Sequence, residues 1–193
     1  RNVIRLTDRR RCCAGRAGRL RGQPAVRGRD RGDGVCSAQA GVDREGVGIE
    51  VIDGDGLSAA VDPTGKLDTL TARTAQTVLT PHDGEFAVLG GDAGSPDRIG
   101  ATKALAARTG CTIARKGPTT IISSPDGQVY LVASGDERLA TAGTGDVLAG
   151  VIGAFLARGL AAPEAAAAGA FIHGMAGSSL PTEGAIARDV VAL

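Results

Sequence analysis

Ala140-Thr141-Ala142-Gly143-Thr144-Gly145-Asp146-Val147-Leu148-Ala149-Gly150 is the stretch from which the rest of the chain can be read. Gly143 and Gly145 lack a Cβ, so backbone amides can approach an anion closely. The residues that follow are small and aliphatic and predict a helix over 146–158, whose positive dipole end faces the turn. Turn and helix together describe a phosphate-handling loop. Asp146 then needs a reason, because a carboxylate beside bound phosphate is unfavourable unless it takes up a proton or works with a metal ion. It is a candidate general base that activates a hydroxyl for attack on phosphorus. The second reading is an N-cap aspartate after a glycine turn. The two common nucleotide signatures are both absent: there is no G-x-x-x-x-G-K-[ST], and Gly143-x-Gly145 is not followed by a glycine three residues on.

Working outward, short β-branched runs alternate with helical patterns. Ile49-Glu50-Val51-Ile52 reads as a strand whose C-terminal end presents carboxylates at Asp53 and Asp55, and 76–80 as a second strand stopped by Pro81. Residues 95–108 read as a helix, with Pro96 near its start, Ile99, Thr102, Leu105 and Ala106 on one face, and Gly110 after its end. A strand follows over 111–115. Runs at 119–123 and 128–132 flank Pro125-Asp126-Gly127, a hairpin turn. Pro163 to Ser178 reads as a final helix. The expectation is one α/β domain with a largely parallel sheet and an inserted antiparallel hairpin.

Composition narrows the function. At 193 residues the chain can bury a sizeable core, and no apolar run approaches the roughly 20 residues that span a bilayer. A net charge of +1 argues against whole-domain attraction to nucleic acid, and the only aromatics, Phe86, Tyr130, Phe155 and Phe171, provide no base-stacking platform. Cys12, Cys13, Cys36 and Cys111 have neither zinc nor thioredoxin spacing. With no signal-peptide pattern, a reducing cytoplasm is the expected compartment. Residues 1–47 differ from the rest: arginine recurs from Arg1 to Arg44 with no lysine and no aromatic, and no apolar period is sustained. The expected division is therefore a disordered or inauthentic segment at 1–47 and a folded domain at 48–193.

Two further stretches could do chemistry. Thr80-Pro81-His82-Asp83-Gly84-Glu85-Phe86 follows a strand, where open α/β sheets place their ligands. His82 and Glu85 could serve a polar substrate, or form a capping-box-like loop. Lys116-Gly117-Pro118-Thr119-Thr120 leaves another strand with a cation and hydroxyls, either a cradle for an adenylate phosphate or a solvated turn. His173, inside an apolar helix, reads as structural.

Val51-Ile52-Asp53-Gly54-Asp55-Gly56-Leu57, then the His82 and Lys116 stretches, then 139–160 and Phe171-Ile172-His173-Gly174-Met175-Ala176-Gly177 occur in one order. The set resembles the ADP-dependent NAD(P)H-hydrate dehydratase family from about Val47 onward, most specifically over 116–177. The resemblance implies a ribokinase-like three-layer αβα sandwich, truncated at the N-terminus, since nothing in residues 1–48 matches the family's first strand-helix units. It implies a lyase that repairs hydrated nicotinamide cofactors, with ADP as phosphate donor, Mg2+ as cofactor, and AMP, phosphate and NADH or NADPH as products. Asp146 would be the catalytic base, and His82 and Asp146 would touch the hydrate. Lys116, Gly117, Pro118, Thr119, Thr120, Gly143, Thr144 and Gly145 would hold the nucleotide. No metal ligand is assigned by the match. A homo-oligomer, a tetramer in the family, and fusion to or cooperation with an NAD(P)H-hydrate epimerase are implied as well. The chain departs from the family pattern at Leu139 and Ala142, where Met and Gly are usual, and at Asp83, where Pro is usual; Ala142 is expected to restrict the turn. A ribokinase-like small-molecule kinase and an inactive product of a misannotated gene are the alternative readings.

Overall fold

A computed structural model of the chain describes residues 38–42, 48–181 and 183–192. The expectation for the arginine-rich segment lies mostly outside these described residues. Within them the elements run β1 (Ala38–Val42), β2 (Gly48–Ile52), α1 (Asp55–Ala59), α2 (Asp68–Thr71), β3 (Gln76–Leu79), α3 (Asp83–Val88) and α4 (Arg98–Thr109). Then come β4 (Thr112–Arg115), β5 (Thr120–Ser123), β6 (Val129–Val132), a 3-10 turn at Glu137–Leu139, α5 (Thr144–Ala157), α6 (Ala162–Ser178) and α7 (Ala187–Val191).

The strands form one sheet in the order β1-β2-β3-β4-β5-β6. Only β2, β3 and β4 run parallel to one another; β1 is antiparallel to β2, and β4, β5 and β6 form an antiparallel meander. The sheet is therefore less parallel than the alternation of strands and helices suggests. The hairpin is not inserted between parallel strands but extends the sheet at one edge, and β1 adds an antiparallel strand at the other.

Period-2 alternation in the parallel strands sorts their side chains onto two buried faces. Val51, Val78 and Ala114 face one core with Leu148, Ile152 and Leu156 of α5 and Ala165, Ala166 and Ala170 of α6. Ile52, Leu79 and Ile113 face the other with Leu57, Phe86, Leu89, Leu105 and Ala106. Each large side chain buried in this way contributes about 1.5–3 kcal/mol, and the two cores make the expected three-layer αβα sandwich. The helices α5 and α6 pack closely, because a Cβ on Gly169 would lie 2.6 Å from Ile152 Cγ1.

The helix predicted over 95–108 is α4, capped at its start by Asp97, whose side chain accepts from the Gly100 amide at 2.8 Å, and ended by Gly110 in the left-handed region. The helix predicted from Asp146 begins two residues earlier. Gly143 is its N-cap, at φ 89°, and Asp146 lies in the first turn, so the N-cap reading of Asp146 does not hold. The left-handed residue of this turn is Gly143, and Ala142 beside it is exposed.

Candidate functional site

The site follows from where the parallel strands end. The row of side chains facing α5 continues one step beyond each of the three strands: Val51 is followed two residues on by Asp53, Val78 by Thr80 and Ala114 by Lys116. Backbone bonds carry the ladder past the strand ends, from the Thr80 amide to the Ile52 carbonyl at 3.0 Å and from the Lys116 amide to the Pro81 carbonyl at 2.8 Å. The apolar core thus gives way to polar groups at the carboxyl ends of the strands, under the N-terminus of α5, as expected for ligand sites in open α/β sheets.

Asp53 is buried, at 4% exposure. Its Oδ1 accepts from Thr80 Oγ1 at 2.7 Å and from Lys116 Nζ at 2.7 Å. Lys116 Nζ also lies 3.6 Å from Glu85 Oε2. His82 is the N-cap of α3: Glu85 Oε2 accepts from the His82 amide at 2.8 Å, and His82 Nδ1 accepts from the Glu85 amide at 3.2 Å. The histidine ring stays exposed, with Nε2 3.5 Å from Glu85 Oε1. Both readings of this stretch therefore meet in one turn: it is a capping box, and its glutamate reaches the site lysine.

The glycine turn approaches the cluster from the other side. A Cβ on Gly145 would stand 2.8 Å from Asp53 Oδ2 and 3.6 Å from Lys116 Nζ, so only glycine permits this approach. The Thr144 hydroxyl is turned inward and donates to the Leu139 and Thr141 carbonyls at 2.6 and 2.7 Å, which fixes the turn. The amides of Gly145 and Asp146 open the helix, where no carbonyl lies one turn back to receive them. Asp146 is partly buried, and burial first, then the charge of Asp53, raise its carboxyl above the ordinary range while Lys116 acts to lower it. Beneath the turn His173 is buried with Nε2 unpaired. Burial lowers its proton affinity, and the backbone of Thr144 acts to raise it.

The structure brings His82, Lys116, Thr144, Gly145 and Asp146 into one neighbourhood, with Gly143 as the turn's hinge. Gly117 and Pro118 are exposed, Thr119 is half-buried and Thr120 opens β5. Gly117 packs on Arg98, whose Nη2 would lie 2.9 Å from a Cβ there. Thr80 went unassigned from sequence, Asp53 was read only as a carboxylate at a strand end, and Glu85 as a polar-substrate or capping residue without its link to Lys116. The signal for the first two was the period-2 row itself, read one step past each strand. Two shallow depressions elsewhere, one beside Lys66 and Arg108 and one at the opposite strand ends beside Gln76 and Thr112, share none of these residues.

An αβα sandwich with a glycine turn feeding a helix at the carboxyl ends of parallel strands places the chain among ribokinase-like proteins. A ribokinase-like superfamily protein from Enterococcus faecalis superposes with a TM-score of 0.59 at 27% identity, over 74% of this chain and 49% of that one. The chain belongs to the NAD(P)H-hydrate dehydratase family, whose model matches residues 37–192. The ADP-dependent (S)-NAD(P)H-hydrate dehydratase of Neisseria meningitidis is 38% identical over 145 residues, 74% of this chain and 49% of that protein. The bifunctional NAD(P)H-hydrate repair enzyme of Mycobacterium tuberculosis is 50% identical over 117 residues, 61% of this chain and 24% of that protein. Among solved structures, the ADP/ATP-dependent NAD(P)H-hydrate dehydratase from Bacillus subtilis, co-crystallised with ATP/Mg2+, has a TM-score of 0.62 at 27% identity, over 74% of this chain and 51% of that one. The chain thus spans about half the length of the single-function relatives and about a quarter of the bifunctional one.

Proposed function

We propose that the site serves the ADP-dependent dehydration of (6S)-NAD(P)H hydrate to NADH or NADPH, with release of AMP and phosphate. The observation that carries this reading is Asp146 in the first turn of α5, a carboxyl of raised proton affinity beside a glycine turn built for phosphate. A ring hydroxyl is a poor leaving group. Asp146 takes its proton as the hydroxyl oxygen bonds to the terminal phosphorus of ADP and the bond from that phosphorus to AMP breaks. The carbon–oxygen bond then breaks with loss of phosphate, the neighbouring carbon gives up a proton, and the dihydropyridine double bond is restored.

The Gly145 and Asp146 amides and the dipole of α5 would stabilise charge on the transferred group, and Lys116 would meet the donor phosphates. His82, exposed at the edge of the cluster, would face the hydrate. Gly117, Pro118, Thr119 and Thr120 would flank the adenylate, and Gly143 and Thr144 would contribute by shaping the turn. Among the described residues no three His, Cys, Asp or Glu side chains gather as a metal cage. That suits Mg2+, which commonly binds through one or two carboxylates and the phosphates themselves; the oxygens of Asp146 and Asp53 would hold it, and it would neutralise phosphate charge.

A cytoplasmic location is part of the proposal; among the described residues no helix is long and apolar enough to cross a membrane. Assembly as a homo-oligomer, and work alongside an NAD(P)H-hydrate epimerase, complete the proposal. The test is incubation of the chain with NAD(P)H hydrate and Mg2+ with and without ADP, following the return of dihydronicotinamide absorbance and the appearance of AMP. ADP-dependent recovery with stoichiometric AMP supports the reading. Phosphorylation of hydroxymethylpyrimidine or ribose by ATP, without hydrate turnover, replaces it with the small-molecule kinase.

A further inference from the structure

The stretch Phe171-Ile172-His173-Gly174-Met175-Ala176-Gly177 of α6 has no part in the chemistry described above, yet it holds two buried glycines inside a helix. Glycine is unfavourable there relative to alanine, so each position needs a reason in packing. His173, Gly174 and Gly177 are the buried residues of the stretch, and their spacing puts them on one face. Against that face lies the segment that leads into the glycine turn. At Gly174 the Ser134 backbone rests on the helix, its carbonyl carbon 2.5 Å from where a Cβ would lie, and Ser134 Oγ donates to the Phe171 carbonyl at 3.1 Å. At Gly177 the Leu139 side chain takes the space: a Cβ would lie 2.6 Å from its Cδ2 and 2.7 Å from its Cδ1. Gly135 closes the slot from the other side, where a Cβ would stand 2.9 Å from the same Cδ1. Leu139 is thus lodged between two glycines.

From Leu139 the restraint passes directly to the turn. Its carbonyl accepts from the Thr144 hydroxyl at 2.6 Å, and the same hydroxyl reaches the Thr141 carbonyl at 2.7 Å. One residue earlier, Arg138 ties the 3-10 turn to the residues after α6 by donating to the Leu180 carbonyl at 2.5 Å. We propose that Leu139 is a positioning residue of the phosphate site: lodged between Gly135 and Gly177, it fixes where the Thr144 hydroxyl anchors the turn, and with it where the Gly145 and Asp146 amides are presented. Helix α6 is thereby the seat of a turn that α5 displays. Hydrogen bonds weaken steeply with distance and angle, so a displacement at the slot is felt at the phosphate. The catalytic consequence rests on the dehydratase reading. The packing does not.

The experiment is a pair of substitutions in the full chain. Gly177→Ala adds one carbon to the slot and Leu139→Val removes one, so the double variant restores the volume. Backbone amide NMR signals of Gly143, Gly145 and Asp146 are followed in the ligand-free protein, alongside kcat and KM for ADP-dependent hydrate turnover. Gly177→Ala is expected to shift the turn signals and to lower kcat by up to about 10²-fold with KM changed less. The double variant is expected to recover both, with signals of the β5–β6 hairpin fixed throughout. A Gly177→Ala variant that loses thermal stability while the turn signals stay in place overturns the proposal, because the Leu139 side chain has then swung aside without moving the turn. Shifted signals with unchanged kcat overturn it as well, and so does a double variant no closer to wild type than Gly177→Ala. Should Gly177→Ala fail to fold, Leu139→Ala decides: emptying the slot is expected to shift or broaden the turn signals, and unchanged signals overturn the proposal. A wild-type chain without hydrate turnover whose variants show the shift and its recovery loses the dehydratase reading and keeps the role of Leu139. An active chain whose turn signals do not respond does the reverse.

Discussion

Arg115 and Lys116 are consecutive cations at the end of β4, and they are placed on opposite faces of the sheet. Arg115 is fully buried on the α3 and α4 side, 4.2 Å over the Phe86 ring, with Nε donating to Asp83 at 2.8 Å and Nη2 to the Ala93 carbonyl at 3.2 Å. Arg98 donates to the second oxygen of Asp83, also at 2.8 Å. That network has two guanidiniums for one carboxylate. On the α5 side the proportion is reversed, with one ammonium among Asp53, Glu85 and Asp146. The helix α3 feeds both, sending Asp83 to the arginines and Glu85 to the lysine. The cation-rich cluster is a clamp, and the guanidiniums, Arg98 first, lower the proton affinity of Asp83. The acid-rich cluster leaves a carboxyl whose proton affinity is raised, which is what a base requires and what stability does not.

This contrast can be broken at either end. The largest effect is expected from Asp146→Asn, which should lower hydrate turnover by about 10²- to 10⁴-fold while slightly stabilising the fold. The sign follows from the raised carboxyl: folding weakens as pH rises through the folded-state value, and an amide removes that cost. Paired rate and denaturation measurements would show both changes, and loss of stability together with activity would remove the contrast. Next in size, Asp83→Ala should cost about 1–3 kcal/mol in urea denaturation, because it leaves a buried guanidinium without its carboxylate. Arg115→Met should cost less, since it removes the charge along with the need for a partner.

The smallest effect concerns pH. Asp83 is depressed in the folded state, first by Arg98, so its contribution is present above the ordinary aspartate value and is lost as pH falls through that range toward the folded-state value. Asp83 is half exposed, so the loss should be under about 1 kcal/mol. Comparing acid denaturation of the wild type with that of Asp83→Asn would reveal it, because the variant lacks this component.

Much of the architecture was legible from residue order. The strands at 49–52, 76–79, 112–115, 120–123 and 129–132 stood out through β-branched runs and turn residues, and α4 through its apolar face and terminal glycine. Strand β1 was not legible, because Ala38-Gln39-Ala40-Gly41-Val42 is short, holds a single β-branched residue and forms its ladder only against β2. Nor was α3, six residues long, whose capping box was visible but read equally well as a loop. Strand direction is a tertiary property, so the sheet was read as more parallel than it is. At the site Asp146, Lys116, Gly145 and His82 stood out as candidates from local chemistry, and the family resemblance chose between their site and turn readings. Asp53 and Thr80 did not, because each is polar for a partner contributed by another strand. Thr144 carries a hydroxyl suited to phosphate, and only the turn's geometry shows that hydroxyl engaged by two carbonyls.

The short connection at 116–119, between β4 and β5, acts as the reading frame of the site. It closes the ladder that aligns Arg115 with Ile121 and Ala114 with Ile122. Side chains alternate strictly along a strand, so a slip of β4 by one residue would exchange its two faces. Arg115 would then face the glycine turn and Lys116 would be forced into the apolar layer beside Phe86. A single residue gained or lost between β4 and β5 would thus choose which of two neighbouring cations faces the glycine turn.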